Sequence, residues 1–216
     1  VNTHVIGHAG RTLALVEAGA RPVELTEELA TVRHTDLDGT LPNGFTAHPK
    51  RDPRTDELFA MAYFWGLDHL QYLVVGADGR VRKVEPIPVD DGPMVHDMAI
   101  SERFAVVFDM PVTFDIEGAM AGRSLPYRWN PDHPARIGVL PREGTAADLR
   151  WFDIDPCYVF HSVNAHDAPG SDGGDGTLVI DAVRHERTFD RDRQGPADVA
   201  PTLWRWTLDL DRGTVE

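Results

Sequence analysis

Three histidines stand in similar surroundings and are the residues best suited to metal chemistry. His48 occurs in FTAHPK, His96 in MVHDMAI and His161 in YVFHSV, and each follows a turn-rich stretch and borders an apolar run. The intervals between them are 48 and 65 residues, close to the roughly 40–50 residues of one four-stranded propeller blade, with room for an insertion in the second. If each histidine lies on the innermost strand of its blade, three neutral imidazoles converge on one axis, where they can bind a metal ion.

The segments that would position these histidines are short strands separated by dense turn signals. Helical periodicity is nearly absent outside Glu24–Ala30 and Ile116–Ala121, each long enough for one or two helical turns. Near His96, the apolar runs of Met98–Phe108 flank the polar pair Glu102–Arg103, which is typical of a hairpin tip. Further strands are predicted at Thr12–Glu17, Leu58–Phe64, Leu70–Val75, Val81–Pro86, Ile137–Leu140, Arg150–Ile154, Tyr158–His161, Thr177–Val183 and Thr202–Leu208. This all-β pattern is typical of a sandwich, a barrel or a propeller, and the histidine intervals favour the propeller.

Two stretches are predicted to be loops, and the end of the chain indicates truncation. Ala165–Gly176 is rich in glycine and aspartate, and Asp190–Ala200 is charged. Asp211–Gly213 is a tight-turn signal after a strand, yet no second strand is predicted behind it. We therefore expect one propeller domain over residues 1–216 that is cut short at its C-terminus.

Composition and charge argue against several classes of partner. Acidic residues number 35 against 21 basic ones, which gives a formal net charge of −14, and the sequence has no basic stripe for nucleic acid. The same charge disfavours anionic membrane surfaces, so membrane contact is expected to be transient at most. The single cysteine, Cys157, lies among apolar residues as a buried inert thiol would, and it suits a reducing compartment, which predicts a cytoplasmic protein.

A histidine metal site needs acceptors that hold each imidazole in one tautomer, and these are usually carboxylates. Glu17 is a candidate because it ends the apolar run TLALV, although taken by itself the favoured interpretation is a surface charge of an edge strand. Asp97 is interpreted as a turn residue that binds backbone amides and not as a base. No carboxylate ligand suggests itself, which argues against iron held by two histidines and one carboxylate. Zinc held by three histidines and water remains allowed by ligand type.

The histidines belong to longer motifs that occur together, namely TAHP, HD-x-A-I and FH-x-x-NA. Similar stretches surround them at Asn2-Thr3, 10–19, 38–58, 94–111, 136–144, 151–165 and 203–215. Over nearly its whole length the sequence resembles the carotenoid cleavage oxygenase family. That family includes carotenoid, apocarotenoid and lignostilbene dioxygenases and the isomerase of the vertebrate retinal pigment epithelium.

The resemblance implies a seven-bladed β-propeller with Fe(II) bound on its axis by four histidines. On this sequence it assigns His48, His96 and His161 as iron ligands. It assigns Glu17 as a carboxylate that orients a ligand histidine, which we expect to be His96, and Thr3 as a residue near the open face of the iron. No catalytic residue is assigned beyond the iron site. About four blades are expected in this chain, and the fourth histidine and the remaining orienting glutamates are expected outside it.

The reaction that the resemblance implies is cleavage of a C=C double bond of a carotenoid, apocarotenoid or stilbene by dioxygen, giving two carbonyl products. The partners would be an apolar polyene or stilbene and dioxygen, and Fe(II) would be the cofactor. Because one ligand and further orienting carboxylates are expected elsewhere, the chain alone is expected to bind iron weakly and to be inactive.

Two other functions stay open. A propeller hydrolase such as a lactonase would bind zinc or calcium, but that class relies on Asp, Glu and Asn ligands. A non-catalytic propeller that binds other proteins would not bring His48, His96 and His161 together. Imidazoles more than about 8 Å apart cannot share one ion at bond lengths of about 2.1 Å.

Overall fold

The structure, a computed structural model, describes residues 3–170, 174–191 and 199–216. Asn2, and the parts 171–173 and 192–198 of the two predicted loops, lie outside the described residues. The chain divides into two compact units, Val1–Pro88 and Val89–Glu216. One propeller domain over residues 1–216 remains a prediction.

The first unit consists of two four-stranded antiparallel sheets, each with its strands in chain order. The strands of its first sheet are β1 (Thr3–His8), β2 (Arg11–Val16), β3 (Val23–Leu25) and β4 (Thr31–His34). Those of its second sheet are β5 (Lys50–Arg51), β6 (Leu58–Ala62), β7 (His69–Val75) and β8 (Val81–Pro88). Gly79 has a φ of +79° in the turn between β7 and β8, a conformation that glycine adopts without strain.

The core of the first unit forms around its two most apolar strands, β6 and β7. All five residues of β6 are buried, and so are the six residues of β7 that follow His69, whereas β3 and β4 contain no buried residue. Leu13 and Leu15 of β2 pack in one cluster with Phe45 and with residues of β6 and β7. Full burial of such a side chain contributes about 1.5–3 kcal/mol, so the central strands stabilise this unit more than β3 and β4 do.

The second unit contains two more four-stranded antiparallel sheets and a two-stranded ribbon. It begins with β9 (Met98–Ile100) and β10 (Phe104–Asp109), followed by the ribbon strand β11 (Val112–Phe114), helix α1 (Ile116–Met120) and the ribbon strand β12 (Tyr127–Trp129). Next come β13 (Arg136–Pro141) and β14 (Arg150–Asp153), which complete a sheet of order β9-β10-β13-β14. The last sheet has its strands in chain order, namely β15 (Tyr158–Ala168), β16 (Thr177–His185), β17 (Thr202–Asp209) and β18 (Thr214–Val215).

The structure confirms the all-β class and most predicted strands. In the residues that the structure describes, four four-stranded sheets agree in number with the four expected blades. The β9–β10 hairpin turns at Glu102–Arg103 as predicted, and α1 confirms the helix at Ile116–Ala121. The ribbon and α1 account for the longer interval between His96 and His161. Across the described part of the chain, no helix combines the length and hydropathy needed to span a membrane.

Three local expectations are wrong. Glu24–Ala30 is not helical, because its first residues pair within β3 and the rest forms a turn in which the Thr26 N–H donates to the Ala30 carbonyl. Pairing with β2 and β4 outweighs local helix propensity here. Ala165–Ala168, expected in a loop, continue β15. The turn at Asp211–Gly213 leads into β18, which pairs with β17, so this hairpin has its second strand.

Candidate metal centre

The three predicted ligand histidines occupy related places, each at the first strand of a four-stranded sheet. His48 and His96 each precede a strand, β5 and β9, by one intervening residue, whereas His161 lies within β15. All three strands lie at an edge of their sheet. The expectation that every ligand histidine lies on a strand is therefore correct only for His161. Pro49 has no N–H to donate to a ladder, and Asp97 instead accepts the N–H of the first residue of β9.

His161 lies in a bulged part of β15. The register between β15 and β16 shifts between Val159 and Ser162, and again between Ser162 and Asn164. Each shift places one more residue on β15 than on β16, and such a bulge bends a strand and changes the direction in which a side chain points. The position of the His161 ring therefore does not follow from simple alternation along the strand.

His96 and His161 lie close together although 65 residues separate them in the sequence. Their Nε2 atoms are 3.3 Å apart, and their ring centroids are 5.1 Å apart with an angle of 66° between the planes. Two nitrogens that bind one ion at about 2.1 Å, with about 90–110° between the bonds, lie about 3.0–3.4 Å apart. The pair therefore has the separation expected of two ligands on one ion.

His48 lies in the first unit, whereas His96 and His161 both lie in the second. Each of the three histidines offers an imidazole nitrogen as a potential metal ligand. Their assignment to one ion, with His48 as the third ligand, remains a prediction. Imidazole nitrogens suit iron, zinc, copper and nickel. The donor set fits the iron centre that the resemblance implies, and it also allows zinc.

Asp97 and Ser162, which directly follow two of these histidines, are hydrogen-bonded to each other. The Ser162 N–H donates to Asp97 Oδ2 over 2.9 Å, and the Ser162 hydroxyl lies 2.9 Å from the same oxygen and 2.8 Å from the Met98 carbonyl. Asp97 Oδ1 accepts the Met98 N–H over 2.8 Å. The interpretation of Asp97 as an acceptor for backbone amides is confirmed, and its link to Ser162 is an addition that the sequence did not indicate.

Aromatic side chains surround the His96–His161 pair. The Phe160 ring meets the His96 ring at 75° with a centroid distance of 5.7 Å, and Tyr158 and His185 pack edge-on against Phe160. His185 is buried, and burial and the nearby His161 lower its pKa below the ordinary value. Sequence reasoning did not connect His185 with the site, because its neighbours Arg184 and Glu186 give it a polar sequence context.

Glu17 directly follows β2 and is only 7 % exposed. The alternative of an exposed edge-strand charge is therefore wrong, although the orientation of His96 by Glu17 remains a prediction. Thr3 begins β1 opposite Val16, and its place near an open metal face also remains a prediction.

His4 is a further residue that sequence reasoning left aside. Its ring stacks on the His48 ring at a centroid distance of 6.2 Å and an angle of 30°. Its Nδ1 lies 3.1 Å from the carbonyl oxygen of Ala47, the residue before His48. These contacts restrict the position of the His48 ring. The only sequence signal for this role is that His4 follows Thr3, which the resemblance placed near the metal.

Comparisons with known proteins identify the same family as the resemblance in the histidine motifs. The sequence profile of the family described as "Retinal pigment epithelial membrane protein" matches residues 1–216. A carotenoid cleavage oxygenase from Mycobacterium tuberculosis is 45% identical to the chain over 254 aligned positions, which cover 99% of this chain and 50% of the relative.

Two solved structures show the same fold over the whole chain. The lignostilbene dioxygenase of Pseudomonas brassicacearum superposes with a TM-score of 0.84 at 35% identity, covering 100% of this chain and 46% of that protein. A cobalt-substituted Synechocystis ACO superposes with a TM-score of 0.77 at 25% identity, covering 100% of this chain and 47% of that protein. The chain therefore spans about half the length of the relatives that it matches.

Proposed function

Because the chain belongs to the retinal pigment epithelial membrane protein family, we propose that this protein is a non-haem Fe(II) dioxygenase. The proposed reaction cleaves a C=C double bond of a carotenoid, apocarotenoid or stilbene into two carbonyl products. The observation that carries the proposal is the His96–His161 pair, whose Nε2 atoms lie 3.3 Å apart as two ligands of one ion would; His48 is proposed as the third ligand. The mycobacterial carotenoid cleavage oxygenase and the lignostilbene dioxygenase support the reaction class.

In this proposal the three histidines hold Fe(II) through neutral imidazole nitrogens. When bound, the ion supplies the redox chemistry that lets dioxygen react with the double bond. The Phe160 ring restricts the tilt of His96 through its edge-to-face contact, and the bulge in β15 directs His161 towards His96. Glu17 is proposed to accept the N–H of His96, and its burial supports the role of a paired carboxylate.

Iron is proposed over zinc because the proposed reaction is a redox reaction. Zinc has no redox chemistry, whereas cleavage of a double bond by dioxygen requires electrons to pass to oxygen. The cobalt-substituted relative supports a site that accepts divalent first-row metals. Cobalt is therefore a suitable spectroscopic probe for the metal site of this protein.

The proposed substrate is an apolar polyene or stilbene, and dioxygen is the second substrate. The acidic surface, with a net charge of −14, argues against nucleic acid partners and against lasting contact with anionic membranes. We also propose a cytoplasmic location, because the single Cys157 suits a reducing compartment.

Labelled dioxygen provides the test of this reaction. The full-length protein, loaded with Fe(II), is incubated under ¹⁸O₂ with a carotenoid, an apocarotenoid and a stilbene in turn, and the products are analysed promptly by mass spectrometry. The expected result is two carbonyl fragments from one of these substrates, each carrying ¹⁸O, and no products without oxygen. Hydrolysis of a lactone at the same rate with and without oxygen, together with no cleavage of any polyene or stilbene, would instead support the zinc or calcium hydrolase.

A further inference from the structure

The two histidines whose Nε2 atoms lie 3.3 Å apart are each followed by a residue of one hydrogen-bonded cluster. Asp97 follows His96, and Ser162 follows His161. A single carboxylate oxygen, Asp97 Oδ2, lies 2.9 Å from both the backbone nitrogen and the hydroxyl of Ser162. The other oxygen binds the first N–H of β9. Two segments far apart in sequence are thus joined at the residues that directly follow the two histidines.

The Asp97 carboxylate lies in an environment where hydrogen bonds to its oxygens are strong and directional. Asp97 is 3 % exposed, so water competes little for its oxygens. Hydrogen bonds to an ionised carboxylate are shorter and stronger than those between neutral groups. The bulges on either side of Ser162 interrupt the ladder between β15 and β16, and the carboxylate binds the N–H of this irregular segment. The bulge that redirects His161 is therefore fixed by the residue that follows His96.

We propose that Asp97 is a positioning residue of the metal centre, which acts through Ser162 to hold His96 and His161 at ligand separation. This inference rests on the proposed function, since it concerns the same metal site. Holding two imidazole nitrogens 3.3 Å apart before the ion arrives lowers the ordering cost of metal binding. Loss of the Asp97–Ser162 link should therefore weaken metal binding more than it weakens the fold.

The test compares Asp97→Asn with the wild type in the full-length protein, using Co(II) as the probe. Asparagine keeps the shape of the side chain but has only one acceptor oxygen, so it cannot bind the donors of both Met98 and Ser162. We expect Co(II) to bind the variant about 10–100-fold more weakly, as is typical when a residue that supports a ligand is changed. The dissociation constant is measured by chelator competition, and the visible Co(II) absorption reports the ligand geometry.

A matched control is Asp167→Asn, which changes another buried carboxylate on β15. Asp167 pairs with Arg103, whose Nε lies 2.5 Å from Asp167 Oδ2, and it takes no part in the Asp97–Ser162 cluster. This variant is expected to lose stability in urea while its Co(II) dissociation constant stays within about twofold of the wild type. A general loss of stability would instead weaken Co(II) binding equally in both variants.

Variants of Ser162 keep the inference testable if Asp97→Asn does not fold. Ser162→Ala removes the hydroxyl but keeps the N–H, so a smaller loss of about fivefold in Co(II) affinity is expected, and Ser162→Thr should restore it. Wild-type affinity in every folded Asp97 and Ser162 variant would overturn the inference and leave the proposed function intact. Failure of the wild-type protein to bind Co(II) or Fe(II) would overturn the proposed function itself.

Discussion

The Nε2 atom of His133 lies 2.8 Å from Oδ1 of Asp109, and both side chains are almost completely buried. The other ring nitrogen, Nδ1, lies 3.1 Å from Oδ2 of Asp91, and Arg136 binds the second oxygen of Asp109. Each ring nitrogen of His133 thus faces a carboxylate, and only the protonated imidazole can donate to both. The cluster joins the segment before β9 to β10 and β13. None of its residues is a sequence neighbour of a predicted ligand histidine.

This cluster predicts a stability that depends on pH. Burial lowers the pKa of His133, but hydrogen bonds and charges from Asp109 and Asp91 outweigh it, so the pKa lies above its ordinary value of 6.5. A raised folded-state pKa contributes stability that is fully present below the unfolded-state pKa and is lost as the pH rises through the folded-state value. His133→Gln should therefore lower the free energy of unfolding by about 1–3 kcal/mol at pH 5.5 or below, with a smaller effect above the raised pKa.

Urea unfolding of the wild type and His133→Gln over a pH series measures this difference. His69→Gln is the control, because His69 pairs with Asp68 at the surface, where solvent screening leaves such a pair little net effect on stability. A wild-type minus His133→Gln difference that stays constant or grows as the pH rises would contradict the prediction.

Gly138 is predicted to be required for packing between β10 and β14. A Cβ atom at this position would lie 2.5 Å from Val107 Cγ1 and 2.7 Å from the Trp151 ring. Gly138→Ala should therefore destabilise the protein by about 1–3 kcal/mol, measured by urea unfolding. Gly7→Ala in β1 is the matched control, since a Cβ there meets no atom within 4 Å, and it should change stability by less than about 0.5 kcal/mol. Equal stability of the two variants would contradict this account of Gly138.

Cys157 is predicted to be unreactive in the native protein. Its side chain is fully buried, and burial raises the pKa of the thiol to about 11. Because the thiolate is the reactive form, Ellman's reagent at pH 8 should modify Cys157 slowly in buffer and rapidly in 6 M guanidinium chloride. Modification of the native protein at the rate of the unfolded protein would show that the thiol is accessible.

The predictable part of the fold consists of the elements whose sequence pattern reflects burial. The runs that form β6, β7 and β10 are mostly apolar, and each forms a strand as expected. The sequence did not indicate β3 or β4, because their residues are partly or fully exposed and their pairing depends on β2. The helix predicted at Glu24–Ala30 does not form, because pairing between strands outweighs the local helix preference of these residues.

The candidate site likewise has a part that the sequence predicts and a part that it does not. Motifs and spacing predict His48, His96 and His161 as ligands, and within the second unit the structure places the Nε2 atoms of His96 and His161 3.3 Å apart. The link between Asp97 and Ser162 was not predictable, because it depends on bulges in β15 that simple alternation does not reveal. The stacking of His4 on His48 was missed for a related reason, since it joins β1 to the segment before β5.

The central claim is that His48, His96 and His161 bind one iron ion, and metal analysis of the full-length protein tests it most directly. The wild type, purified anaerobically with Fe(II), should contain about one iron per chain, because His96 and His161 already lie at the separation of two ligands on one ion and His48 would supply a third neutral imidazole. Replacing each of the three histidines by alanine, one at a time, should remove most of this iron. Retention of iron in all three variants, or full occupancy of the wild type by zinc or calcium without iron, would contradict the account.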